Sequence, residues 1–398
     1  MQKDWFQQRL TSSLENLAQI HQCRVRRDVT AISTTESLVD GRLCCSFATN
    51  DYLGLTRHPK VIEAFSEAAT RQAGSGASAL IAGRSSLHHE LEASIARFES
   101  TESALLFPSG FAANLGTLKS LIRAGDAVFC DRDNHASLID GCRSSAGKFY
   151  VYDRHDLDRL AESFERRRTE FEAAFIVTDS VFSMDGSLAD LPRLCDLADQ
   201  WNAAVIVDEA HGTGVFGETG RGVCERQQVE DRVTVRIGTL SKAIGGLGGF
   251  VAGSTELCDW LWNTARSQFF STALPPAVCA AALASLRVID EEPQRRRLVA
   301  DRSIFTRRLL RQENLRVIFD ESSPMESPII AVLIGDDDLA VRISQQMLGK
   351  GFFIPAVRPP TVASGTARLR MSISSDHSEQ QIQSAVYQLR DVLYSARR

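Results

Sequence analysis

The chain has 398 residues, 43% hydrophobic and 24% charged, enough for a large buried core, with no apolar run near the ~18 residues that a membrane span needs. Forty-five lysines and arginines against 50 aspartates and glutamates give a net charge of -5, so no global positive field recruits a polyanion, and neither nucleic acid nor a membrane is an expected partner. Nine cysteines without a CxxC pair argue against a disulfide framework, call for no metal, and point to a reducing cytoplasm.

In chain order, MQKDWFQQRLTSSLENLAQI sets Asp4 and Glu15 among spaced apolar residues, which predicts an amphipathic helix rather than a leader peptide. Residues 1–47 are read as an N-terminal helical arm. GSGASA at 74–79 has the spacing of a dinucleotide fingerprint but follows a helical pattern rather than a strand, so it predicts a tight or mobile loop ahead of the helix LHHELEASIARF. From about residue 104 apolar runs alternate with helical patterns: ALLF (104–107), AVFC (127–130), KFYVY (148–152), AAFIVT (173–178), AAVIV (203–207), VTVRIG (233–238) and FVAG (250–253). This alternation predicts an α/β fold whose seven strands form one large, mostly parallel sheet between helices. Helices follow to about residue 312, and then SPIIAVLI, a helix, GFFIPAV, ARLRMSIS and a final helix predict a smaller α+β unit. The expected division is a large domain over 48–285 and a small C-terminal domain over 286–398.

AAVIVDEAHGTG puts Asp208, Glu209 and His211 where a buried strand ends, the place at which open α/β sheets carry ligand-binding groups. DEAH after an apolar strand also fits a nucleotide triphosphatase, but that chemistry needs a GxxxxGK[ST] loop, which the chain lacks. Only six lysines are present, and Lys242 in GTLSKAIGG stands 34 residues after Asp208, just past the next predicted strand, so both emerge on one sheet edge. A lysine among small residues is open to a flat carbonyl cofactor. Pyridoxal phosphate (PLP) needs such an amine, an acid at its pyridine nitrogen, a phosphate cup and a group over its ring. Asp208 supplies the acid. In the strand, turn and helix of ALLFPSGFAAN, the amides of Gly110, Phe111 and Ala112 can meet the phosphate, with the hydroxyls of Thr239 and Ser241 beside them. His135, just after AVFC, is placed to stack on the ring, and His211 is within reach of Asp208.

NDYLGL, SGFAAN, DRDNHASLIDG, VFSMDGSLADLP, VDEAHGTGVFGETGRGV, GTLSKAIGG and RPPTVASGTARLR together resemble, in order and spacing, the α-oxoamine synthases, a group of fold-type I PLP-dependent transferases. The likeness runs from about residue 48 to 390. It implies Lys242 as the cofactor lysine, Asp208 on the ring nitrogen, His135 over the ring, and Ser183 and His211 toward the phenolic oxygen. It further implies Arg370 on the amino-acid carboxylate, where a planar fork of donors suits the task, and Asn50 in contact with substrate. Arg24 and Arg358 are candidates for the acyl side. Ser271 and Thr272 match residues that reach the neighbouring subunit's phosphate, which implies a homodimer with shared sites. Ala79 departs from the pattern, because many relatives carry arginine there, and this bears on acyl-chain specificity.

Within the group the resemblance implies a decarboxylating condensation of L-alanine with a pimeloyl thioester, of CoA or of acyl carrier protein, to 8-amino-7-oxononanoate. Glycine with acetyl-CoA is the alternative.

Overall fold

The computed structural model describes residues 4–20, 22–318 and 324–396. The helix Asp4–Gln19 buries none of its residues. The arm that follows is not helical: β1 (Val29–Ala31), β2 (Glu36–Val39) and β3 (Arg42–Ser46) pair antiparallel in succession. ESLV alternates half-buried and buried positions, the period of a strand with one covered face, and Asp40 and Gly41 turn the hairpin with positive φ.

All seven strands expected between residues 103 and 253 form, as β4 (Ser103–Phe107), β5 (Ala127–Asp131), β6 (Lys148–Tyr152), β7 (Ala174–Asp179), β8 (Ala204–Asp208), β9 (Val235–Thr239) and β10 (Gly249–Gly253). They make one sheet in the order β4-β10-β9-β8-β7-β5-β6, parallel from β9 through β6, with β10 antiparallel to both of its neighbours. Both faces are covered. Ala127, Phe129, Ile176, Val205 and Val207 enter one core while Val128, Cys130, Val177 and Ile206 enter the other. Burial on two sides is why these strands read as unbroken apolar runs rather than alternating ones.

The helix Pro276–Glu291 carries Leu286, Val288 and Ile289 into the first of these cores, so residue 285 falls inside a helix that packs as one piece. Beyond it, β11 (Ile329–Gly335), β12 (Phe352–Phe353), β13 (Ala356–Val357) and β14 (Ala367–Ser372) form with the helices Asp337–Gly349 and Glu379–Ala396. GFFIPAV does not make one strand. Pro355 has no N–H for a ladder, and the run splits: β12 pairs in parallel with β3 of the arm, and β13 with β14. A separate core of Leu310, Ile330, Val332, Leu369, Met371 and Leu389 also takes in Phe47, so the end of the arm belongs to the C-terminal unit. Among the described residues no helix is long and apolar enough to cross a membrane.

Candidate active site

Because β5, β7, β8 and β9 run in parallel, their last residues Asp131, Asp179, Asp208 and Thr239 come out on one edge of the sheet. A cavity of about 200 Å³ opens there, lined by Gly110, Phe111, His135, Ser183, Asp208, His211, Thr239, Ser241 and Lys242. Nine residues singled out from sequence thus meet in one space. Ser109 begins the helix Gly110–Leu121 by accepting from the Ala112 N–H at 3.1 Å, and this leaves the helix start facing the cavity. A Cβ at 110 would lie 3.3 Å from both Cβ and Oγ1 of Thr239, a tight contact that a larger residue would have to relieve by shifting Thr239.

Asp208 is 5% exposed, and its partners determine what it presents. Oδ1 accepts from the Ala210 N–H at 2.8 Å, and Oδ2 accepts from Asn114 Nδ2 at 2.6 Å. The other amide hydrogen of Asn114 goes to Ser137 Oγ at 2.8 Å. Ser137 in turn lies 2.7 Å from His135 Nδ1, which also accepts from the Ser137 N–H at 3.3 Å. These bonds make Nδ1 the acceptor and leave the ring proton on Nε2. Burial lowers the His135 pKa, and Lys242 adds to the effect against the pull of Asp208, so the ring is held neutral.

Lys242 is half-buried, and its pKa falls to about 8 because burial disfavours the ammonium more than Asp208 and Asp179 restore it. An amine with that value is about one-tenth unprotonated at pH 7, far more than an ordinary lysine, and that fraction can act as a nucleophile or a base. His211 Nδ1 lies 2.7 Å from the hydroxyl of the fully buried Tyr52. Burial, with Lys242 and Arg370 nearby, drops its pKa well below the usual histidine range.

Arg370 arrives on β14 from the C-terminal unit. Its Nε donates to Ser183 O at 2.6 Å, and its two terminal nitrogens donate to Asn50 Oδ1 at 3.3 and 3.2 Å. Arg370 and Asn50 therefore stand together behind Ser183, which lines the cavity, and neither of them lines it.

Other expected residues lie elsewhere. Arg24 and Arg358 line a separate groove of about 480 Å³, along with Met184, Phe353 and Thr361, and Arg358 Nη2 donates to Cys23 O at 2.7 Å. Ala112 and the pair Ser271 and Thr272 line neither space. Thr272 bridges to Ser78, and Ala273 N donates to Ala77 O at 3.0 Å, so the GSGASA loop is strapped to this segment. Glu209, read as one of the ligand-facing acids, turns inward: it is 1% exposed and accepts from Ser180 Oγ at 2.6 Å, Val223 N at 3.0 Å and Cys224 N at 2.7 Å. It organises the loop that carries His211.

The sequence reading missed Ser109, Asn114, Ser137 and Asp179, all of which line the cavity. Asn114 had a signal, being the last residue of the quoted SGFAAN and one helical turn from Gly110. Asp179 had one also, as an acid that closes a strand in register with Asp208.

The family model for aminotransferase class I and II matches residues 44–389. Over 384 residues the chain is 41% identical to an 8-amino-7-oxononanoate synthase of Geobacter sulfurreducens, covering 95% of this chain and 96% of that one. It is 42% identical over 388 residues to another from Saccharophagus degradans, with 96% of each chain covered. A serine palmitoyltransferase from S. paucimobilis, solved with bound PLP and myriocin, superposes with a TM-score of 0.91 at 29% identity over 97% of both chains.

Proposed function

Since the chain belongs to the class I and II aminotransferase family, a family that works with PLP, we propose that it catalyses the decarboxylating condensation of L-alanine with a pimeloyl thioester to 8-amino-7-oxononanoate, a step of biotin biosynthesis. The observation that carries this reading is the meeting of Lys242, Asp208, His135 and His211 beside a helix start in one cavity, in a chain about 40% identical along nearly its whole length to synthases of that name.

The residues fit the cofactor. Lys242 would hold its carbonyl carbon, Asp208 its ring nitrogen, and His135 its ring face. The N–H groups at the start of Gly110–Leu121, together with Thr239 and Ser241, would hold its phosphate. When bound, PLP supplies an electron sink for charge that develops at the amino-acid Cα. Asp208 sustains that sink, because a carboxylate fixed by Asn114 and the Ala210 N–H stays where a ring N–H⁺ needs it. Arg370 would bind the alanine carboxylate through its guanidinium charge and the remaining Nη2 hydrogen, with Asn50 and the Ser183 carbonyl holding the group in place. Nζ of Lys242, the one amine in the cavity, would remove the Cα proton and later return one. His211, kept neutral by burial and held at Nδ1 by Tyr52, would leave Nε2 for the cofactor's phenolic oxygen.

The acyl chain enters through the groove that holds Arg24 and Arg358. Met184 lines that groove and Ser183 lines the cavity, so the two spaces share one stretch of backbone. A guanidinium in the groove suits a thioester whose far end is a carboxylate. Ser271 and Thr272, together with exposed Phe270, Leu80 and Ile81, form the surface of a homodimer in which each chain completes its partner's site. The boundary between the large and small domains is taken at the end of the helix Pro276–Glu291 rather than at 285, because that helix packs in the large core as one piece.

The test is to incubate purified protein and PLP with L-alanine and pimeloyl-CoA and to measure CO₂ and 8-amino-7-oxononanoate. Comparison with glycine and acetyl-CoA follows. A higher kcat/KM for the second pair overturns the substrate assignment and leaves the cofactor site standing.

A further inference from the structure

The two histidines of the site stand on different loops, one after β5 and one after β8, with β7 between them in the sheet. The residues that end β7 reach both loops. Toward β5 the connection is reciprocal: Asp179 N donates to Asn134 Oδ1 at 2.8 Å, Asn134 Nδ2 donates to Val177 O at 2.9 Å, and His135 N donates to Asp179 Oδ2 at 2.6 Å. Toward β8, Ser180 N donates to Asp208 O at 2.9 Å, and Ser180 Oγ donates to Glu209 Oε2 at 2.6 Å. Asp179 and Ser180 are 5% and 0% exposed, so the β7 end of each of these bonds is shielded from bulk water.

Resting on the reading of this cavity as a PLP site, we infer that Asp179 is a positioning residue. It ties the backbone of His135 to the end of β7 and so sets the height of the imidazole over the cofactor ring. Its contribution is an acceptor oxygen rather than a charge. The groups facing it are Asp208, Lys242, His135 and Asp131, and their net effect can be followed. Burial and the charge of Asp208 push its carboxyl well above the ordinary value, while the His135 N–H and Lys242 pull the other way. A protonated acid still accepts on Oδ2 from the His135 amide. An amide side chain does the same, whereas alanine takes away the only side-chain acceptor that holds the part-buried His135 N–H.

Asp179→Asn, Asp179→Ala and Asn134→Ala holoenzymes test this. The readouts are the visible circular dichroism per bound PLP, which follows the asymmetric placement of groups about the ring, and the PLP dissociation constant. Asp179→Asn is expected to stay within about twofold of wild type. Asp179→Ala and Asn134→Ala are expected to lose ellipticity per bound cofactor and to weaken PLP binding, Asp179→Ala about three- to tenfold for the one side-chain hydrogen bond it loses and Asn134→Ala at least as much for its two to β7. A merely structural role lowers the melting temperature without changing ellipticity per bound PLP. Unchanged ellipticity in Asn134→Ala, or in a folded Asp179→Ala, overturns the inference. So does an Asp179→Asn protein as damaged as Asp179→Ala, because charge would then be what matters. Wild-type protein that gives no PLP signal overturns the reading of the site itself.

Discussion

The strand-end cavity and the arginine groove share the backbone at residues 183 and 184, yet they are built in opposite ways. The cavity is walled by the ends of adjacent parallel strands, and its groups are locked by short hydrogen bonds to buried carboxylates, such as Asn114 to Asp208 at 2.6 Å and His135 to Asp179 at 2.6 Å. The groove is assembled from residues 22–27, the helix Asp337–Gly349 and the 353–361 segment, and Arg24 on its edge is exposed. A reaction centre must be rigid before substrate arrives, whereas a channel for a long chain needs width and a charge at the right distance. Substitutions in the cavity should therefore act on kcat, and those in the groove on KM.

The sharpest test of the cavity is Lys242→Ala, for which a fall in kcat of about 10²–10⁴-fold is expected from loss of the proton-moving amine. Borohydride reduction of wild-type holoenzyme followed by peptide mapping should put the pyridoxyl label on Lys242, and a label on another lysine breaks the assignment. The same residue sets a pH dependence. With a pKa of about 8 against an ordinary 10.5, its neutral fraction in the cofactor-free protein grows as pH rises through 8. The rate of PLP capture should climb below that value and level off above it. Stability follows in sign. The folded state carries the full cost of the buried ammonium below about 8 and is relieved as pH rises toward 10.5, so the apo protein gains stability across that window.

Next in size is Asp208→Asn, which keeps the shape but not the charge at the ring nitrogen. A kcat loss of about ten- to a hundredfold with PLP retained is expected, the value of a hydrogen bond to a charged group, read from single-turnover kinetics. An undiminished rate removes Asp208 from that role.

The groove responds differently. Arg24→Ala and Arg358→Ala are expected to raise KM for pimeloyl-CoA about tenfold, with kcat and the KM for palmitoyl-CoA little changed. A fall in kcat for both thioesters alike would erase the distinction between the two regions. Glu209→Gln has the smallest effect on catalysis per unit of stability lost. Its carboxylate accepts from three donors, and an amide nitrogen turned toward Val223 or Cys224 would face a second donor, so a loss of about 1–3 kcal/mol in unfolding free energy is expected with PLP still bound.

The sequence by itself determined the large sheet and most of the cavity. Strands buried on both faces are unbroken apolar runs, and in a parallel sheet the residue after each run must emerge on the same edge, so Asp208, His135, Thr239 and Lys242 were placed together by local pattern alone. Glu209 shows where that argument stops. It adjoins Asp208, but the side chain of the first residue past the strand has no assigned face, and packing turned it toward Val223 and Cys224. The amphipathic pattern at the N-terminus predicts a helical arm, but only Asp4–Gln19 is a helix, and ESLV and RLCCS are too short to show a period of their own. They become strands because β3 finds β12 from the far end of the chain. The arginine groove likewise exists only once residues 22–27 and 353–361 meet. Contacts of that separation leave no mark on local periodicity, because their energy comes from surface buried between segments rather than from the conformational preference of either one.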